Sequence, residues 1–193
     1  TRYWRDWSSD VCSSDLGGYQ RLENQLYRVE IHKPGGVGTA TFKWSRENGS
    51  VVAEWTDQDN LVLKVPSTGR DGVLSFAPGD WVELLDDTRD LRSEPGIMVR
   101  VEKVDATSIT VKPPQNVVVN RAAFPRNPRI RRWDHPGNDS ERKVEIPLAN
   151  QGYLALEGGV EIRFSGNDFR TGDYWLIPAR TAAPGTEIGD IEW

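Results

Sequence analysis

Reactive side chains are scarce in this chain of 193 residues, which contains one cysteine and two histidines. A lone cysteine, Cys12, provides no disulfide framework, and we expect no thiol chemistry. His32 and His135 lie far apart and neither belongs to a zinc-like spacing. A Gly-x-Ser-x-Gly nucleophile elbow is missing as well. We therefore expect a protein that is not an enzyme, with no catalytic residues, no metal and no cofactor.

Long apolar runs, heptads and an excess of positive charge are missing too. With 24 basic and 29 acidic residues, the formal net charge is −5. A mildly acidic balance argues against a general nucleic-acid binder. A membrane-spanning helix needs about 20 consecutive apolar residues, and the sequence has no such stretch. We expect no nucleic-acid partner and no membrane span.

Residues 1–16 (TRYWRDWSSDVCSSDL) resemble the translation of a sequencing-library adapter rather than native protein. They lack the apolar core of a signal peptide, so we leave them out of the fold prediction. The segment holds Cys12, two arginines and three aspartates, and without it the formal charge changes from −5 to −4. We expect the native chain to start near Gly17 with its own N-terminus missing, and to be truncated at its C-terminal end.

What is present is typical of an all-β protein. Turn residues recur at short intervals between runs rich in Val, Ile, Thr and Trp, and no amphipathic helix is predicted. We expect antiparallel hairpins and meanders with little or no helix. Residues 17–113 form one β-rich region, residues 114–142 a Pro/Arg-rich extended strap, and residues 143–193 a second β-rich section packed on the first.

The pattern is clearest over residues 77–113. Strands are predicted at 80–85, 96–104 and 108–112, joined by a polar loop at 86–95 and a tight turn. On the middle strand Ile97, Val99 and Val101 share one face, and the alternating charged residues predict that the other face is wet. A long first loop and a short last turn favour an SH3-like small barrel over about 72–113.

Asn48-Gly49 is the strongest local turn signal, because this dipeptide between two alternating runs is typical of a two-residue hairpin. Symmetric pairing about it puts Phe42 opposite Trp55, Trp44 opposite Ala53, and Lys43 opposite Glu54. A second hairpin is predicted at Gly158-Gly159, with Ala155 opposite Ile162.

The candidate binding residues belong to residues 124–133 (FPRNPRIRRW), namely Arg126, Arg129, Arg131, Arg132 and Trp133. Arginine forks match phosphates and acidic glycans, so one interpretation is an anion site. The other is a strap across the sheets whose guanidiniums pair with Asp and Glu side chains. The acidic total favours the strap.

Two groups of acidic residues invite a calcium hypothesis. The first is Asp57 and Asp59, and the second is Asp86, Asp87 and Asp90. A calcium loop needs further ligands at fixed spacing and a closing glutamate, which neither group has. We interpret both as solvated turns.

Residues 17–193 resemble the bacterial DUF6519 family, a family of unknown function. The resemblance is carried by GYQRLENQLYRVEIH (18–32), ATFKWSRENGSVV (40–52), STGRD (67–71), GDWVELLDDTR (79–89), FPRNPRIRRWD (124–134) and GDYWLIPAR (172–180). Longer members open with a section similar to phage-baseplate proteins. The resemblance therefore implies a component of a phage-tail-like or contractile-injection particle. It leaves the location open between particle, cytoplasmic assembly and cell exterior, and it supplies no catalytic residues.

Three functions are therefore considered. The first is a structural or adaptor module whose protein partners in a larger assembly include copies of itself. The second is a surface- or glycan-binding module, which would expose Trp44, Trp55 and Trp133 as platforms. The third is a polysaccharide-directed enzyme, which needs two carboxylates converging in a cleft. Exposure of the tryptophans discriminates between the first two.

Overall fold

A computed structural model describes residues 10–11, 23–69, 72–134, 146–147, 153–164, 166, 168–179 and 191–192. His135 and most of residues 1–16 lie outside this part of the chain. The described strands are β1 (Asp10–Val11), β2 (Gln25–Lys33), β3 (Thr41–Ser45), β4 (Val52–Glu54), β5 (Asp57–Asp59), β6 (Val62–Lys64), β7 (Trp81–Leu85), β8 (Ile97–Asp105), β9 (Ser108–Lys112), β10 (Arg129–Trp133), β11 (Ile146–Pro147), β12 (Leu154–Ala155), β13 (Glu161–Ile162), β14 (Tyr174–Ala179) and β15 (Ile191–Glu192). One α-helix, α1 (Asp87–Arg92), and one 3-10 helix (Arg121–Ala123) complete the described elements. The all-β prediction is confirmed.

The strands form two main antiparallel sheets. The larger has seven strands in the order β4-β10-β7-β8-β9-β6-β5, and the smaller has four in the order β11-β3-β2-β14. Two further pairs, β1-β15 and β12-β13, are two-stranded. Every described pairing of these strands is antiparallel. No helix among the described residues is long and apolar enough to cross a membrane.

The meander predicted over residues 77–113 is present as β7, β8 and β9, but the SH3-like barrel is not confirmed. These strands form the middle of the larger sheet. Beyond β7 the sheet continues with β10 and then β4, and beyond β9 it continues with β6 and then β5. The sheet is open in the described residues, because β4 and β5 lie at opposite ends of its strand order. Alternation within the meander could not reveal these flanking strands, which come from distant parts of the sequence.

The Asn48-Gly49 turn forms, but the hairpin pairing predicted from it is wrong. Both residues have positive φ, at 53° and 64°, and the Ser50 N–H donates to the Glu47 carbonyl at 2.9 Å. Strand β3 nevertheless pairs with β2 and β11, and β4 pairs with β10. The turn therefore carries the chain from the smaller sheet to the larger one. Phe42 and Trp55, predicted to be opposite each other, belong to different hydrophobic cores.

Each main sheet has its own hydrophobic core on one face. Tyr27, Val29 and Ile31 of β2 pack in the core of the smaller sheet, with Phe169 and the β12-β13 hairpin residues. The core of the larger sheet includes Val82, Leu84, Val99, Val101, Ile109, Val111 and Ile130. Because strand side chains alternate, the opposite faces carry the remaining residues, which include most of the buried charged side chains and, on the larger sheet, a small apolar cluster of Trp81, Met98 and Trp133. These two faces meet each other, as the contacts described below demonstrate.

Part of the predicted polar loop at 86–95 is helical. Asp86 caps the N-terminus of α1, and one of its carboxylate oxygens accepts from the Arg89 N–H at 3.1 Å. Its other oxygen accepts from the Arg126 N–H at 3.3 Å, so the fully buried carboxylate also ties the chain entering β10 to the helix. Backbone hydrogen bonds from Arg89 and Arg126 lower the pKa of Asp86 against the opposing effect of burial.

Replacing Asp86 with alanine is expected to lower the free energy of unfolding by about 1–2 kcal/mol, because the helix loses its cap and buried N–H groups lose an acceptor. Urea denaturation at neutral pH measures the loss. Asp86→Asn is the matched control, since asparagine also caps helices and retains an acceptor oxygen. An alanine variant within about 0.5 kcal/mol of the wild type, as for ordinary surface changes, would contradict the assignment.

The second β-rich section contributes to the smaller sheet. Strand β14 pairs with β2, with Trp175 opposite Val29 and Ile177 opposite Tyr27. The Gly158-Gly159 turn joins β12 to β13 as predicted, but the register differs by one residue, because Ala155 pairs with Glu161 rather than Ile162. A hydrogen bond from the Leu156 N–H to the Val160 carbonyl at 2.9 Å fixes this register.

Candidate functional site: a charge layer between the two sheets

The polar faces of the two sheets enclose a group of ionisable side chains. Arg28, Glu30 and His32 alternate along β2, and Lys43 lies beside them on β3. The larger sheet contributes Glu83 from β7 and Trp133 from β10. We call these six residues the charge layer. Glu30, His32, Lys43, Glu83 and Trp133 are all buried.

Lys43 is the centre of the layer and joins the two sheets. Its Nζ lies 2.6 Å from both carboxylate oxygens of Glu83 and 3.2 Å from Oε1 of Glu30. The ammonium also lies 4.6 Å from the centroid of a Trp133 ring. Two carboxylates and an aromatic face thus surround one buried cation, which is the arrangement that a desolvated charge requires.

The Glu83 carboxylate is satisfied from several directions. Trp133 Nε1 donates to Oε2 at 2.9 Å, and the Gly96 N–H donates to Oε1 at 3.1 Å. The Nδ1 atom of His32 lies 3.5 Å from Oε1. With only 2% of Glu83 exposed, these groups and Lys43 replace the water that a free carboxylate would bind.

Both carboxylates of the layer are held in the ionised form. Burial alone would raise the pKa of Glu83, but the charge of Lys43 and the neighbouring His32 lower it well below the usual 4.5. Burial also opposes ionisation of Glu30, whose pKa is lowered by Lys43 and then by Arg28. The guanidinium of Arg28 binds Glu30 Oε2 at 2.7 Å through Nε. The layer is therefore a set of ion pairs.

Replacing Gly96 with alanine is expected to lower the free energy of unfolding by about 1–3 kcal/mol through overpacking. A Cβ on Gly96 would lie 2.7 Å from Glu83 Oε1 and 2.8 Å from its Cδ, so the carboxylate must leave its position. Gly72→Ala is the control, since a Cβ there meets nothing within 4 Å. Thermal denaturation compares the two variants. Equal midpoints would show that Glu83 can move without cost.

A second polar group beside the layer also joins the sheets. Asp134, at the end of β10, accepts from the Arg46 N–H at 2.9 Å and from the Ser45 hydroxyl at 3.2 Å. Its own N–H donates to the Trp44 carbonyl at 2.9 Å. The Arg46 guanidinium also forms an ion pair with Glu157 at 3.0 Å, and Glu157 lies between β12 and β13. The junction is thus polar along much of its length.

The structure separates the predicted arginine residues. Arg129 pairs with Asp87 at 2.6 Å and with Asp90, both on α1. Arg132 turns to the other face of β10 and donates to the carbonyls of Val73, at 2.8 Å, and Ser75. These two guanidiniums are therefore engaged within the protein and are not gathered at one site.

Arg126, Arg131 and Trp133 have different surroundings. Trp133 is buried in the charge layer, and Arg126 is exposed. Arg131 is half-buried on the same face as Trp133, and its side chain forms no hydrogen bond or ion pair with the residues that the structure describes. The anion site stays a hypothesis, and Arg131 is the half-buried arginine of the group that forms no ion pair within the described ranges.

Several of the acidic residues considered for calcium interact with other groups of the protein. Asp86 caps α1, while Asp87 and Asp90 pair with Arg129. Asp57 accepts from the Gln58 N–H at 2.8 Å. Within the described ranges, no group of three or more His, Cys, Asp or Glu side chains is placed to hold a metal ion.

The geometry defines a class: an all-β protein in which two antiparallel sheets, each with its own hydrophobic core, are joined by buried ion pairs. The chain belongs to the DUF6519 family, a family of unknown function whose sequence profile matches residues 6–192. Comparison with curated proteins found no match, and comparison with solved structures found none either. The family assignment confirms the resemblance noted in the sequence, while the adapter origin of residues 1–16 stays a prediction.

Proposed function

We propose that this protein is a non-catalytic structural or adaptor module of a phage-tail-like or contractile-injection particle. The observation that carries the proposal is the charge layer. Four of its five ionisable side chains are buried, and their charges neutralise one another across two sheets, so their chemistry serves to fix the relative position of the sheets. A module that transmits load or orients neighbours needs such a rigid junction. The particle itself is inferred from the resemblance of longer family members to baseplate proteins.

The tryptophans favour this function over glycan binding. Trp44, Trp55 and Trp133 have 1%, 0% and 1% of their surface exposed. A sugar-binding platform requires an aromatic face open to solvent, whereas these rings pack within cores or against Lys43. The three residues singled out as platforms are therefore better explained as packing residues.

The carboxylates favour a structural role over glycoside hydrolysis. A glycosidase needs a general acid whose pKa is raised, next to an ionised partner. Glu30 and Glu83 converge on Lys43, but the pKa of each is lowered. Burial raises the pKa of Asp80, yet its carboxylate accepts from the Ala77 N–H at 2.8 Å in the turn before β7. That hydrogen bond gives Asp80 a role in the turn.

The outer edge of β14, which no described strand covers, supports docking to other proteins. Strand β14 pairs with β2 on one side only in the described part of the smaller sheet. The Ile31 N–H donates to the Asp173 carbonyl, and the Ile31 carbonyl accepts from the Gly172 N–H. Because the backbone groups of successive residues in a strand point alternately to its two sides, those of Tyr174 and Leu176 point away from β2. Pro178, which lacks an N–H, falls in the same outward set, as expected of a proline on an edge. Such an edge can receive a strand from a partner.

Light scattering of residues 17–193, alone and with the products of neighbouring genes, tests the proposal. A trimer, a hexamer or a stable complex with a neighbour is the expected result. A chain that stays monomeric and binds none of these products would contradict it. A glycan array run in parallel tests the alternative function, which would be favoured by saturable binding to one glycan class.

A further inference from the structure

We propose that Arg131 and Arg28 form a docking site for an acidic side chain of a partner protein. The inference rests on the proposed function as an assembly module, and it identifies one contact and its chemistry. It follows from the position of the two arginines, from the ion pairs of the sheet junction, and from the surface that surrounds them.

The two arginines approach the same point from different sheets. A Cβ built on Gly49 would lie 3.5 Å from Cδ of Arg131, on β10, and 3.5 Å from Cδ of Arg28, on β2. The same point is 3.8 Å from Cη2 of Trp133. The Asn48-Gly49 turn, which carries the chain between the sheets, therefore lies against both side chains. Glycine leaves the space into which both arginine stems extend.

Arg28 is held in place, whereas Arg131 is not neutralised. Arg28 binds Glu30 through Nε and Nη2, at 2.7 and 2.6 Å, and its guanidinium lies 3.7 Å from the centroid of the Tyr174 ring. Arg131 Nε is buried without a hydrogen-bond partner, and no carboxylate in the described ranges lies close enough to pair with its guanidinium. Glu54 lies opposite Arg129 on β4, yet it forms no ion pair with Arg131.

The ion pairs of the junction engage its other cations and leave Arg131 without a carboxylate partner among the described residues. In the charge layer Lys43 and Arg28 balance Glu30 and Glu83, with histidine counted as neutral. In the neighbouring group, Arg46 and Arg132 pair with the carboxylates of Asp134 and Glu157, and the carboxylate of Asp80 interacts with Arg46 and Arg132 as well. Arg131 stands apart from these pairs, because its guanidinium has no carboxylate within ion-pair distance in the described ranges. A half-buried charge without a counter-ion is unfavourable, and an incoming anion relieves it.

A single carboxylate fits this site better than a polyanion. Nucleic acids and acidic polysaccharides bind through several cations at once, but Arg129 and Arg132 are already engaged and the chain carries a net charge of −5. A guanidinium fork binds one carboxylate in a bidentate manner.

The surroundings indicate what accompanies that carboxylate. Val52 lies opposite Arg131 with 42% of its surface exposed, and Tyr174 beside Arg28 has 39% exposed. Both provide apolar surface next to the two guanidiniums. The partner segment is therefore expected to present an Asp or Glu next to apolar side chains.

The site can be tested without knowing the partner. NMR of the arginine Nε–H signals, recorded while sodium acetate is added at constant ionic strength, is expected to show a saturable shift for Arg131. Arg126, which is exposed and forms no ion pair with a described residue, is the internal control and should shift weakly and without saturation. A non-saturating response of Arg131, or saturation by inorganic phosphate at a lower concentration than acetate, would overturn the carboxylate site.

The same residue is then tested in the assembly. For a complex found by light scattering, Arg131→Gln is expected to weaken the affinity at least tenfold, whereas Arg126→Gln leaves it unchanged. Arg131→Lys keeps the charge without the fork and should retain part of the affinity. Equal affinities for the two glutamine variants, with unfolding midpoints unchanged, would overturn the inference and leave the proposed function standing. Saturable acetate binding by a chain that forms no complex would contradict the proposed function and the docking role, and would leave a carboxylate site without that role.

Discussion

Replacing Lys43 with methionine is expected to lower the free energy of unfolding by about 3–5 kcal/mol, which is the usual cost of removing one partner of a buried ion pair. Methionine fills a similar volume, so packing changes little. The loss arises because Glu30 and Glu83 then share the sheet junction without the cation that lies 3.2 Å and 2.6 Å from them. Urea denaturation at pH 7, followed by tryptophan fluorescence, measures the change.

Two further variants identify the cause of the loss. Lys64→Met removes a lysine from an exposed position on β6 and should change stability by less than about 0.5 kcal/mol. Lys43→Met leaves two negative charges without their cation, and adding Glu83→Gln removes one of them. The glutamine still offers an acceptor to Trp133 and Gly96. The double variant should therefore lose at least about 1 kcal/mol less than the sum of the single losses. Strict additivity would show that Lys43 and Glu83 do not depend on each other.

Local features of this chain could be predicted from the sequence. Period-two alternation identified β7, β8 and β9, and Ile97, Val99 and Val101 do share a face that packs in the core of the larger sheet. Asn48-Gly49 adopts the positive φ values that its composition predicts. These features depend on neighbouring residues, which is why pattern and propensity suffice for them.

Strand partners could not be predicted in the same way. The Asn48-Gly49 turn is compatible with a hairpin and also with a crossing between sheets, since both need the same backbone geometry at the turn. The choice depends on where Trp44 and Trp55 are buried, and they belong to separate cores. The arrangement β4-β10-β7 likewise joins residues far apart in sequence.

The charge layer is the largest difference between expectation and structure. Alternation along the 77–113 meander predicted a wet face opposite its apolar face, so a polar face was equated with an exposed one. His32 and Glu83 are buried because two polar faces cover each other. Lys43 and Glu83 are 40 positions apart, and no spacing rule joins them. One available signal was Lys43 itself, a lysine between Phe42 and Trp44 in a short apolar strand.

The arginine segment illustrates the same limit. Pairing of guanidiniums with acidic side chains was the favoured prediction, and Arg129 does pair with Asp87 and Asp90. Which arginine lacks an acidic partner depends on the face of β10 that it occupies and on the charged side chains of the neighbouring sheet. Arg132 faces away from Arg131 on β10, and only the three-dimensional arrangement of the ion pairs singles out Arg131.

Acidification is expected to destabilise the protein through the charge layer, and Glu83→Gln should reduce that sensitivity. The pKa of Glu83 in the folded protein is well below the usual 4.5, against burial, because Lys43 and His32 stabilise the carboxylate. A carboxyl with a lowered folded pKa contributes its full stability above the unfolded value, and this contribution is lost as the pH falls towards the folded pKa. Glu30 acts in the same direction, while Asp80, whose pKa burial raises, acts in the opposite one.

The slope of stability against pH isolates Glu83. Just below pH 4.5 the unfolded chain binds a proton at Glu83 that the folded protein does not bind. Linkage converts one such proton into about 1.4 kcal/mol per pH unit at 25 °C. Urea denaturation between pH 3 and pH 6 should therefore give the wild type a slope steeper than that of Glu83→Gln by up to about this amount, with the curves parallel above pH 6. Parallel curves throughout would mean that Glu83 binds its proton equally well in both states, so that the ion pair with Lys43 does not stabilise its ionised form.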